Sequence, residues 1–161
     1  MMRFVADIID VPIMDPMFGY EALNVETQAR DSSSLLNWTK RMIDIRKRHP
    51  VFSLGSFDEL NSSNPSVLAF VRERREDEPL PAHTDAEGSD VVGTDTMLCV
   101  NNLSKFPQPV ELDLSRYAGY TPVECTGGVA FPPIGELSYL LTMPGHGFYW
   151  FTLQPPEGGH D

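Results

Sequence analysis

Acids outnumber bases almost two to one in this chain, 23 Asp and Glu against 12 Lys and Arg, so paired carboxylates are the first chemistry to look for. Cleaving or transferring a glycosyl unit needs two carboxyls a few ångströms apart across a cleft. Glu111 and Asp113 fall on the solvent side of an alternating run, Asp58 and Glu59 in a turn, and Glu124 and Glu136 beside short strands. None has surroundings, readable from sequence, that favour acid–base work. Nucleophilic catalysis needs a Ser or Cys, a base and an orienting acid together. Of the four histidines, His49 ends a helix, His83 lies in a flexible loop and His160 in the tail. Only His146, in Met143-Pro144-Gly145-His146-Gly147-Phe148, sits in a structured turn, and no G-x-S-x-G elbow accompanies it.

Cys99 and Cys125 are too few for a disulfide scaffold and read as buried free thiols of a reducing compartment. No Cys or His pair has zinc spacing. Gly127-Gly128 and Gly135 are turn glycines that open no phosphate-binding loop. The run Phe148-Tyr149-Trp150-Phe151 could stack on sugar rings. In a strand, however, Phe148 and Trp150 face one way and Tyr149 and Phe151 the other, so at least one pair is core. A final strand packed on both sides is the expectation. The residues themselves therefore assign no catalytic, cofactor-binding or metal-binding position.

The elements that would position these groups are short. Residues 1–30, broken by Pro12, Pro16 and Gly19, read as an irregular, extended lead-in. Residues 31–49 are the clearest helix. Asp31 or Ser32 can cap it, and Leu35, Leu36, Trp38, Met42 and Ile43 form its apolar stripe. Pro50 stops it. Strands are expected at Val51-Phe52 and Ser56-Phe57 on either side of Gly55, then at 66–74, 96–103, 109–114, 121–126, 137–143 and 147–153. Val110, Leu112 and Leu114 alternate with Glu111 and Asp113, the mark of a half-buried antiparallel strand. Roughly seven such strands point to a β-sandwich. Residues 73–96, acidic and without an aromatic, read as a long mobile loop joining two neighbouring strands. From Gln154 the chain reads as a frayed tail.

With 161 residues, 41% hydrophobic, the chain is large enough for one core. Its net charge of −11 argues against nucleic acid and against anionic membrane surfaces. No apolar stretch has the length of a transmembrane helix, and MMRFVADIID lacks a signal-peptide core, so the cytoplasm is the expected location.

Several longer runs carry a resemblance. DPMFGYEALNVETQARDSSSLLNWTKRMIDIRKRHP, residues 15–50, resembles the end of the catalytic barrel in the α-amylase superfamily, glycoside hydrolase family 13. The Asn-Val-x-x-Gln segment is Asn24, Val25 and Gln28, and the Arg-Lys-x-His-Pro ending is residues 46–50. SSNPSVLAFVRE, LCVNNLSKFPQPVELDLS and FPPIGELSYLLTMPGHGFYWF are similar to the C-terminal region of its trehalose synthase branch. The resemblance covers residues 12–153. It implies the last helix of a truncated (β/α)₈ barrel, residues 1–50, followed by the superfamily's antiparallel C-terminal β-sandwich, residues 51–154, and a disordered tail, 155–161. It further implies an intact enzyme that isomerises maltose to trehalose. The family works with an Asp nucleophile, a Glu acid/base and a second Asp, in motifs of the type G-F-R-x-D and N-H-D. Those motifs are absent here. The barrel strands and the family's calcium ligands would lie upstream of Met1. No catalytic, cofactor or metal residue carries over, and the chain alone is expected to be inactive. It would meet maltose or trehalose only through a barrel, and would associate with itself or with a barrel-containing chain. MMRFVADIID departs from the family pattern, which fits an internal start, a frameshift or a truncated gene. Residues 73–96 are longer than that pattern.

Overall fold

The computed structural model describes residues 19, 24–74 and 96–156. The chain divides into two compact units, Met1–Ile43 and Asp44–Asp161.

In the first unit, part of the expected irregular lead-in is a short helix, α1 (Val25–Arg30). Asn24 nucleates it: its side-chain oxygen accepts from the Thr27 amide at 2.8 Å, satisfying a donor that a helix start leaves open. The longer helix, α2 (Leu35–Arg48), starts at Leu35 rather than Asp31. Asp31 is used in the turn between the helices, where it accepts from the Ser33 amide and hydroxyl at 2.9 and 2.7 Å. Ser34 caps α2 instead, accepting from the Asn37 amide at 3.2 Å. Asn37 in turn donates to the carbonyls of Gln28 and Asp31 at 3.0 and 2.8 Å, closing the end of α1. The apolar stripe of α2 is only partly covered. Met42 is buried, whereas Leu35, Trp38 and Ile43 are exposed. The basic last turn of Arg46, Lys47 and Arg48 complements the helix dipole as expected.

In the second unit, Val51-Phe52 is not a strand but opens one helical turn, α3 (Val51–Leu54). Pro50 is the cause. At φ −56° and ψ −25° it is already helical, and it lacks only an amide that a helix start leaves unpaired. Ser56-Phe57, expected as a strand, is not one; Asp58 and Glu59, expected in a turn, instead form an edge strand, β1 (Asp58–Glu59). The remaining strands fall where the alternation places them: β2 (Val67–Glu73), β3 (Thr96–Asn102), β4 (Gln108–Leu112), β5 (Thr121–Glu124), β6 (Tyr139–Met143) and β7 (Phe148–Gln154).

Every strand pair is antiparallel. One sheet has the order β1-β2-β3-β7-β5; the other holds only β4 and β6. Their facing sides make the core. Ala69, Val71, Leu98, Val100, Phe151 and Leu153 come from the larger sheet, and Val110, Leu112, Leu141 and Met143 from the smaller. This is the expected sandwich. Leu114 and Tyr117 extend the core from a 3₁₀ turn at Ser115–Tyr117. β3 is buried on both faces: Met97 and Cys99, like Leu98 and Val100, are fully covered. α3 contributes to the outer cover, with the Phe52 ring 4.8 Å from that of Trp150.

Glu73 and Thr96 are register partners at the end of β2–β3, so the acidic stretch joins two neighbouring strands as expected. The mobility expected of that stretch, the expected fraying of the tail beyond Pro156, His83 and His160 lie outside the described residues.

Candidate functional site

The carboxylates considered for catalysis are dispersed, and several serve their own turns. Asp113 accepts from the Ser115 hydroxyl at 2.7 Å and its amide at 3.1 Å, and these bonds hold its pKa below the usual carboxylate value. Asp58 accepts from the Ser56 hydroxyl at 2.7 Å. Glu124 is buried, yet it takes the Thr126 amide at 2.9 Å, the Thr126 hydroxyl at 2.5 Å and the Gly127 amide at 2.6 Å. It closes the β5 turn and leaves little capacity for a substrate. Glu111 and Glu136 face solvent.

His146 is exposed, in the left-handed region at φ 52°, inside a turn that its own amide closes onto the Ser104 carbonyl at 2.8 Å. Gly145 beside it approaches the Lys105 carbonyl so closely that a Cβ would sit 2.2 Å from the oxygen. Asn102 ties the turn down, donating to the Phe106 and Pro144 carbonyls at 2.9 Å each and accepting from the Ser104 amide at 2.9 Å. The turn is a structural knot.

Cys99 and Cys125 flank Trp150, Cys99 as its register partner on β3 and Cys125, just past β5, by donating its amide hydrogen bond to the Trp150 carbonyl at 2.8 Å. Burial pushes the Cys99 thiol up to about 12 and the Cys125 thiol to about 11, so both stay protonated and unreactive at neutral pH. The closing aromatic run is packed on both faces, as the alternation requires. Tyr149 and Phe151 join the sandwich core, while Trp150 meets Phe52 and Phe148 on the other side. No flat row of exposed rings remains for a sugar.

Among the described residues, no three His, Cys, Asp or Glu converge to hold a metal ion. Among them, too, no helix is long and apolar enough to cross a membrane.

Two features were not read from the sequence. One is a cluster at the end of β2: Glu73 takes the Tyr117 hydroxyl at 2.7 Å and the Arg116 guanidinium at 2.6 Å. The other is a groove of about 400 Å³ beside β6, lined by Leu140 and Thr142 of that strand with Phe131, Pro132, Leu137 and Tyr149. The crowding of apolar residues in FPPIGELSYLL is the only sequence signal for the groove.

The comparisons agree with this arrangement. The family model described as "Maltogenic Amylase, C-terminal domain" matches residues 57–150. "Trehalose synthase/amylase TreS" of Mycolicibacterium smegmatis is 55% identical over 146 residues, covering 91% of this chain and 23% of the relative. "Trehalose synthase" of Pimelobacter sp. is 55% identical over 145 residues, 90% of this chain and 23% of the relative. An Anoxybacillus α-amylase crystal structure superposes with a TM-score of 0.55 at 16% identity, over 77% of this chain and 23% of that one. The chain thus spans about a quarter of the length of these relatives, and their catalytic domain is not covered by it.

Proposed function

This chain belongs to the maltogenic amylase C-terminal domain family, and from that premise we propose that it is the non-catalytic C-terminal domain of an enzyme that interconverts maltose and trehalose. The observation that carries this reading is the 55% identity to trehalose synthases over nine-tenths of the chain. The site geometry supports it, because the described carboxylates, thiols and turn histidine are committed to turns and core or stand apart in solvent. In the full-length enzyme the chemistry is a retaining glucosyl transfer. A carboxylate displaces glucose from maltose to give a covalent glucosyl-enzyme, and the released glucose, turned over, attacks to form trehalose. A barrel supplies that chemistry. The β-sandwich gives it a stable body to pack against and contributes no ligand to substrate, cofactor or calcium. A cytoplasmic location belongs to the same reading and is supported by two free thiols, Cys99 buried and Cys125 partly so.

Reconstitution tests it. The upstream portion of the Mycolicibacterium relative, expressed without its matching 146 residues, should be unstable and poorly active alone. Adding this chain should raise both its thermal midpoint and its conversion of maltose. An upstream portion with full activity and stability of its own would refute the supporting role.

A further inference from the structure

The two sheets are unequal, five strands against two, so the smaller covers only part of the larger. On one side β4 is closed off. The Glu111 amide donates to the Ser63 hydroxyl at 2.9 Å, the Glu111 carbonyl accepts from the Ser63 amide at 3.3 Å, and the Pro109 carbonyl accepts from Asn64 at 3.0 Å. Pro109 and Glu111 therefore turn their backbone away from β6. Their register partners are Thr142 and Leu140. In an antiparallel pair, alternate residues bond the partner strand and the others point outward. The amides and carbonyls of Leu140 and Thr142 thus point off the free edge of β6. No hydrogen bond from another described residue reaches them.

That edge carries none of the usual protection. Tyr139-Leu140-Leu141-Thr142-Met143 has no charge and no proline, and Leu140 is 66% exposed. The groove of about 400 Å³ runs along it, with Phe131 and Tyr149 among its lining and Leu137, 85% exposed, at its side. Two exposed acids sit beside it: Glu111, the register partner of Leu140, and Glu136, next to Leu137 in the chain. Along the strand pair β4–β6 itself, Gln108–Leu112 and Tyr139–Met143, Glu111 is the one charged residue.

From these three features we infer that β6 is a strand-addition site for an extended peptide of a separate protein, apolar at alternate positions and basic at its flanks. The peptide's backbone would exchange hydrogen bonds with Leu140 and Thr142. Its inward side chains would fill the groove, and its basic flanks would meet Glu111 and Glu136. A second folded copy fits poorly as occupant. It brings the same net charge of −11 and so repels the first copy. This inference does not rest on the maltose–trehalose reading.

The test uses a fluorescein-labelled, end-blocked peptide, Lys-Val-Thr-Val-Thr-Val-Lys, titrated with the full chain and followed by anisotropy. Saturable binding is expected. Thr142→Pro deletes one outward amide without touching a bond to β4 and should weaken binding at least tenfold. The surface variant Glu111→Lys/Glu136→Lys leaves the backbone alone and should weaken it similarly, whether or not Thr142→Pro folds. A peptide with Glu flanks should bind worse than the Lys-flanked one. Absent saturable binding to the wild-type chain, or binding indifferent to both variants, would overturn the proposal. Self-association of the chain that Thr142→Pro abolishes would overturn it too, assigning the edge to a second copy.

Discussion

The Phe52 ring lies 4.8 Å from that of Trp150, tilted by 56°, and His49 meets Phe52 edge-on at 6.5 Å. A single helical turn is thereby fastened to the outer face of the five-stranded sheet. Offset aromatic contacts of this kind add to the area they bury. Phe52→Ala should cost about 3 kcal/mol, at the low end for a buried Phe, and should alter Trp150 emission before the sheet unfolds. Urea titration followed by fluorescence and far-ultraviolet dichroism measures both. Coincident, unshifted transitions would mean that α3 contributes nothing to the fold.

His49 makes the fold sensitive to mild acid. Its Nδ1 is buried without a hydrogen-bond partner among the described residues, and burial, then the Arg48 charge, holds its pKa below the ordinary 6.5. A histidine lowered in this way binds fewer protons folded than unfolded. Its contribution is therefore complete above pH 6.5 and is lost as pH falls through that value toward the folded pKa. Thermal midpoints between pH 7.5 and 5 should drop in the wild type and drop less in His49→Gln. Parallel slopes would place the sensitivity elsewhere.

The Glu73 cluster separates a strong bond from a weak one. The Tyr117 hydroxyl is partly buried and donates to a carboxylate, so Tyr117→Phe should cost about 1.5–3 kcal/mol. The Arg116 side chain is 55% exposed, so Arg116→Ala should cost less than about 1 kcal/mol. Denaturant midpoints of the two variants, compared at equal slope, decide the ranking. Equal losses would mean that the ion pair, not the phenol, holds β2 to the 3₁₀ turn.

The knot around His146 predicts a local backbone failure. Gly145→Ala would place its Cβ 2.2 Å from the Lys105 carbonyl oxygen. It should destabilise by more than about 2 kcal/mol, whereas His146→Asn, which tolerates the left-handed backbone, should be nearly neutral. Equal stability of the two variants, measured by calorimetry, would contradict the close approach.

How much of this was legible in the sequence follows from the range of the forces involved. Val110, Leu112 and Leu114 were placed correctly because alternation is a local record of which face is buried. The two-sided packing of residues 148–151 followed from the same period. Val51-Phe52 was misread because its apolar pair suits a strand, while Pro50 and a distant Trp150 make it a helical turn. The start of α2 was misplaced because Asp31 and Ser34 both suit a cap. Only the contact of Asn37 with the end of α1 selects Ser34. The apolar run FPPIGELSYLL hints at the β6 groove but cannot place it, since the groove arises where a two-stranded sheet fails to cover a five-stranded one.

The role proposed above is that of a C-terminal domain that leaves the chemistry to the rest of the enzyme. The direct measurement is proton NMR of maltose incubated with purified full chain, with the anomeric signals of trehalose and glucose followed over a day. The maltose spectrum should stay unchanged. Heat-labile formation of trehalose or glucose, proportional to chain concentration and absent from a mock purification, would contradict it.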